Sequence, residues 1–209
     1  MRSRHQAFLL ILCCVLAAFS APADSTVKDS LLQPGTRAPS FSLITFDGTR
    51  TALYEVCGDT LLKPYSNKIR HTVIISFWAT YCAPCQKEIP ELQKFMAAHT
   101  TDSVKAFCIS IDKEGSAIVE PFVKKMGYTI PILLDQYKKV AARYGVSHLP
   151  ALFVVDTHGI IRYSSSGYDG KTGLKDKLEN ILHSIKNPPV IDEPHPGKNP
   201  VQPAPRPEK

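Results

Sequence analysis

The chain has 209 residues, 44% of them hydrophobic and 21% charged, with a formal net charge of +6; this suits one soluble domain with extensions, since domains commonly run about 100–200 residues. The positive charge is mild and scattered, with no Lys/Arg-rich run, which excludes a basic nucleic-acid surface, so no nucleic-acid partner is expected.

The N-terminus, MRSRHQAFLLILCCVLAAFSAPADS, has a basic start, an apolar run from Ala7 to Phe19 and then Ala21-Pro22-Ala23. That is the three-part plan of a secretory signal peptide over residues 1–23, with the cut after Ala23. The run is short for a membrane span, but Pro22 inside the cleavage site keeps an uncleaved membrane anchor as the alternative. Cys13 and Cys14 do not make a lipoprotein site, because Leu12 stands where a small residue is wanted. Export, with a periplasmic location expected, places the rest of the chain where disulfides persist.

Residues 24–35 read as a polar leader, and residues 36–186 as the folded block. Within it, FSLITFDGTRTALYEV predicts a hairpin turning at Asp47-Gly48. Residues 57–71 form a polar connection. HTVIISFW is a β-branched run of the kind covered on both faces. A helix is predicted from Pro84–Cys85 to about Ala98, kinked at Pro90. VKAFCISID reads as a second buried strand and SAIVEPFVKKMG as a short helix closed by Gly127. IPILLD and the helical KKVAARYG lead to VSHLPALFVVDTHGIIRYSS, a hairpin turning at His158-Gly159, and a last helix spans about Leu174–Ile185. The alternation gives an α/β sheet, parallel in its first half and antiparallel at its end. Residues 187–209, with proline at nearly every third position and few apolar side chains, are expected to form an extended, disordered tail.

The chemistry concentrates in FWATYCAPCQKEIP, residues 77–90, where Cys82 and Cys85 fall between a buried strand and a helix start. Unpaired N–H groups and the helix dipole favour a thiolate there. Two intervening residues let both sulfurs reach bonding distance. A thiolate at Cys82 can attack a partner's disulfide, and Cys85 can then resolve the mixed disulfide. A c-type haem site would need His where Gln86 stands. A tetrahedral zinc site would need a second ligand pair, and neither Cys57, Cys108 nor the histidines supply one. A peroxidatic cysteine would want Thr in place of Ala79. A purely structural disulfide seldom closes so small a loop at a helix start.

This segment resembles the active-site region of the thioredoxin superfamily, most closely that of exported TlpA/ResA-like thiol–disulfide oxidoreductases. The hairpin APSFSLITFDGTRTAL, the strand into CAPC, and YGVSHLPALFVVDTHGIIRYSSSGY extend the resemblance over most of residues 36–186. It implies a thioredoxin-like fold: a central mixed β-sheet flanked by helices, with an N-terminal β-hairpin extension. It also implies that Pro150 lies in a cis-proline loop facing the disulfide, where the Leu149 backbone meets a bound peptide. Trp78 and Tyr81 match the aromatic positions flanking the thiols. Thioredoxin has a buried Asp six residues before its first Cys; here Ser76 stands there, a poor base. Glu88, one turn after Cys85, is the better proton acceptor, and this branch carries Glu in that place. Cys108, between Phe107 and Ile109, reads as a buried inert thiol, a Cys57–Cys108 disulfide being the alternative. The connection holding Cys57 looks longer than is usual in the family, so residues 57–71 are candidates for recognition.

The resemblance implies a monomeric, cofactor-free reductase of disulfides in exported proteins, such as the haem-binding thiols of cytochrome c precursors, recharged by a membrane thiol donor. An exported copper metallochaperone using the two thiols and His148 is the binding-class alternative, weakened because such relatives space their cysteines by three. A catalytically idle scaffold module would show no dithiol cycling.

Overall fold

Thr45 and Thr49 close a tight turn through backbone hydrogen bonds, with Gly48 at φ 85° in the left-handed region that glycine enters without strain. The turn joins Ser42–Ile44 (β1) to Arg50–Ala52 (β2) as the predicted antiparallel hairpin. In the computed structural model, which describes residues 30–58, 69–99, 103–170 and 173–187, the chain continues through Thr72–Trp78 (β3), Ala83–Ala98 (α1), Val104–Ser110 (β4) and Ser116–Met126 (α2). Ile132–Leu134 (β5), Lys139–Arg143 (α3), Ala151–Val155 (β6), Ile161–Ser166 (β7) and Leu174–Lys186 (α4) complete it. Both predicted helix stops hold: α2 ends at Gly127 in the left-handed conformation, and α1 runs unbroken through Pro90 to Ala98.

One seven-stranded sheet has the order β2-β1-β5-β4-β3-β6-β7. Its middle, β5-β4-β3, is parallel; both flanks are antiparallel. This corrects the expectation of a sheet parallel in its first half. The first hairpin is antiparallel because a β-turn can only return the chain that way, and it lies at the far edge with β1 antiparallel to β5. The result is the mixed sheet with an N-terminal hairpin that the resemblance implies.

The crossovers β3–α1–β4 and β4–α2–β5 step in the same direction across the sheet, and right-handed connections then place both helices on one face. Alternation along β3 agrees with this. Ser76 bonds a side chain of α1, and Trp78 stacks near Phe122 of α2, at 6.0 Å between ring centroids. Phe77 points the other way, into a cluster with Tyr144 and Phe153 at 5.4 and 5.9 Å. Such ring pairs contribute roughly 0.5–1.5 kcal/mol each beyond their buried area. All of β3 is buried, so the strand that delivers the chain to Cys82 is among the most constrained in the molecule.

Residues 30–35, read from the sequence as leader, dock on the domain instead. Leu31 and Leu32 pack against the core, Leu32 N–H donates to the Tyr144 carbonyl, and Gly35 N–H donates to that of Ile161. The expected signal peptide (1–23), the rest of the expected leader, most of the 57–71 connection and the expected tail beyond Asn187 lie outside the described residues. Among the described residues no helix is long and apolar enough to cross a membrane.

Candidate active site

Cys82 is the residue that starts α1. Its backbone is extended (φ −88°, ψ 97°), and its sulfur accepts the Cys85 N–H at 3.3 Å, a sulfur in the role of an N-terminal cap. Pro84 occupies the first turn, where its missing N–H costs no helical bond. The two sulfurs are bonded at 1.98 Å, with Cα atoms 5.3 Å apart. Cys82 keeps 7% of its surface exposed and Cys85 none, so an incoming sulfur meets Cys82 first.

A buried carboxylate fixes the turn before Cys82. Asp112, just beyond the end of β4, accepts the Thr80 N–H at 3.0 Å, the Thr80 hydroxyl at 2.7 Å and the Ser110 hydroxyl at 2.7 Å. Gln86 of α1 donates to the Thr80 carbonyl at 2.8 Å. Strand β4, the turn and the helix are thereby tied around the nucleophile. Sequence reasoning missed Asp112; an acid directly after a buried strand was the available signal.

Glu88 is buried, 2% exposed, on the face of α1 that also carries Cys85. Ser76, too weak a base to replace an Asp, instead donates its hydroxyl to Glu88 Oε1 at 2.7 Å. Burial pushes the Glu88 carboxyl up to about 7, against the opposing pull of the Ser76 hydrogen bond and the Lys177 charge. A carboxyl that titrates near neutrality can both take and return a proton. So buried a carboxyl is not a solvated group on the outer surface of the helix. Glu88 also lines an open cleft of about 320 Å³ with Ser165, Tyr168, Asp169 and Lys177. Burial, with Glu88 second, raises the thiol of Cys108 above the ordinary range. Cys108 and Cys57 are separate buried thiols, so the disulfide alternative for them does not hold.

The remaining predicted residues divide. The Leu149–Pro150 bond is cis. Continuing the β3–β6 register beyond Phe77↔Ala151 puts Pro150 opposite Trp78, at the sheet end that carries the thiols. Tyr81 is 70% exposed beside Cys82. Trp78 is not a surface contact: it is fully buried, its ring packed on Phe122 and Tyr128 beneath the site. An inward-facing position at the end of a central strand makes it a support for the turn. His148 is exposed, its ring nitrogen 3.0 Å from the Ser147 hydroxyl. Among the described residues no group of three or more His, Cys, Asp or Glu is placed to hold a metal ion.

Residues 34–164 match the profile of the AhpC/TSA family. The chain is 26% identical over 173 residues to the thiol-disulfide oxidoreductase ResA of Geobacillus thermodenitrificans, covering 83% of this chain and 92% of the relative. Among solved structures it is similar to StoA from Bacillus subtilis, at 26% identity and a TM-score of 0.54 over 71% of this chain and 99% of that one. A thiol:disulfide interchange protein from Bacteroides sp. shares the fold at 20% identity, with a TM-score of 0.59 over 78% and 97% of the two chains.

Proposed function

The chain belongs to the AhpC/TSA family and is a thiol–disulfide oxidoreductase of the thioredoxin fold, and from that premise we propose that it works as a reductase of disulfides in exported proteins. The observation that carries the direction is Glu88, buried one turn from Cys85. A strong oxidant owes its potential to a stabilised reduced form. An ionisable carboxyl beside the pair opposes thiolate formation and so favours handing electrons on. Cytochrome c precursors, whose haem-binding thiols must stay reduced, are the substrate class proposed. A membrane thiol donor would restore the dithiol, and the protein would act as an exported, periplasmic monomer.

In the forward reaction the Cys82 thiolate attacks one sulfur of the partner's disulfide. A Cys82–partner bond forms, and the partner's other sulfur leaves and takes a proton from solvent. Cys85 gives its proton to Glu88 and attacks the Cys82 sulfur. The Cys82–Cys85 bond closes, and the partner departs as a dithiol once its second sulfur is protonated. Among the described residues Leu149 makes no backbone hydrogen bond, which supports its pairing with an extended substrate segment in the manner of an added strand. Exposed Tyr81 would border that segment.

Trapping tests the assignment. A Cys85→Ser variant should accumulate mixed disulfides with exported proteins, whereas Cys82→Ser should trap almost none. Equal trapping by both would remove Cys82 as the nucleophile. Stoichiometric Cu(I) binding by the reduced protein, without disulfide reduction, would instead favour the metallochaperone.

A further inference from the structure

The cleft beside Glu88 opens to solvent and is walled by two elements outside the thiol motif. The segment after β7 contributes Tyr168 and Asp169, and α4 contributes Lys177. Lys177 sits one turn after Leu174 and directly before Leu178, two buried anchors of α4, so it flanks the inward stripe and is itself only partly exposed. The groups that face Glu88 can be named element by element. Ser76 comes from β3, the Cys108 thiol from β4, Glu91 from α1 itself, Tyr168 and Asp169 from the β7–α4 segment, and Lys177 from α4. Of these, Lys177 is the cation; Glu91 and Asp169 are acids. Tyr168 is engaged elsewhere, its hydroxyl donating to Glu91 Oε1 at 2.5 Å.

We propose that Lys177 is a positioning residue for the exchange reaction, setting through the shared cleft the pH at which Glu88 takes the Cys85 proton and returns it to water. This rests on the reductase reading and deepens it. When Cys85 attacks Cys82, one proton moves from the Cys85 thiol to the Glu88 carboxylate. That proton must leave before the next turnover, and the cleft gives the carboxyl its contact with solvent. A cation on the cleft wall stabilises the carboxylate and counters the two neighbouring acids. Without it, burial and like charge would hold Glu88 protonated into more alkaline conditions, and it would be a poorer proton acceptor at neutral pH.

Two readouts test this on the full chain. In oxidised protein labelled with ¹³C at glutamate carboxyls, the Glu88 signal, assigned by its loss in Glu88→Gln, should titrate at higher pH in Lys177→Met. A shift on the order of half a pH unit is expected for one charge in a solvent-exposed cleft. Lys177→Arg should restore the original midpoint. In the reduced protein, the acidic limb of the rate of model-peptide disulfide reduction should move in the same direction. In a Glu88→Gln background, Lys177→Met should leave the pH profile unmoved. An unchanged Glu88 midpoint in Lys177→Met, or the same profile shift with Glu88 already replaced, would overturn the proposal. The titration needs no activity, so failure of the parent protein to reduce any disulfide would count against the reductase reading alone.

Discussion

Glu88 carries two opposing demands, because it must be buried to sit behind the thiols and must ionise to serve them. Its folded-state carboxyl is raised from 4.5 to about 7, chiefly by burial. An acid raised in this way contributes stability that is complete below its unfolded value and is lost as pH climbs through the folded one. The oxidised protein should therefore lose stability between pH 4.5 and about 7, by about 3 kcal/mol if the whole shift is expressed. Glu88→Gln should flatten that slope in denaturant titrations run at several pH values. Alkylation of reduced Cys82 should reach half its limiting rate at lower pH in the same variant, since a charge opposing the thiolate is gone. A slope and an alkylation curve that both survive the substitution would make Glu88 a spectator.

At the scale of elements, the junction of β3, α1 and β4 depends on Asp112. Replacing it with Ala leaves the Thr80 N–H and the Thr80 and Ser110 hydroxyls without their buried acceptor. The expected cost is about 3 kcal/mol, the scale of hydrogen bonds to a charged group plus stranded donors. It should be read as a lower denaturant midpoint with an unchanged slope. Asp112→Asn, which keeps one acceptor oxygen, should lose less; equal losses would show that charge rather than geometry holds the turn. This junction also marks where sequence reading stops. The β-branched run of β3, the Gly48 turn, the Gly127 stop and the Cys82–Cys85 spacing are local signals, and each element appears where they put it. Asp112 meets Thr80 across 32 positions, and Ser76 meets Glu88 across 12. Neither pairing leaves a trace in a short window. Trp78 is legible only in part for a related reason: its chain position flanks the thiols, but the pleat turns its ring inward. Leu31 and Leu32 carried an apolar signal too brief to outweigh the polar residues around them.

For the whole molecule, the parallel centre of the sheet delivers its functional groups to one end. Cys82 follows β3, Asp112 follows β4, and Pro150 enters β6 from the same side. The rigid strands fix the turn and the thiols, while Glu88 and the α4 cleft lie one layer behind, on the helical face. That arrangement separates the surface a partner meets from the groups that manage the proton. It also ties the direction of electron flow to the hidden layer: a helix start alone would favour a stabilised thiolate and an oxidant, and the carboxyl behind it opposes that. The reduction potential of Cys82–Cys85, measured by equilibration against a graded series of reduced and oxidised glutathione or dithiothreitol, tests this most directly. With Glu88 opposing the thiolate, the expected value lies at the thioredoxin end of the range, about −270 mV or lower; a value near −120 mV, typical of a dedicated oxidant, would overturn the reductase assignment.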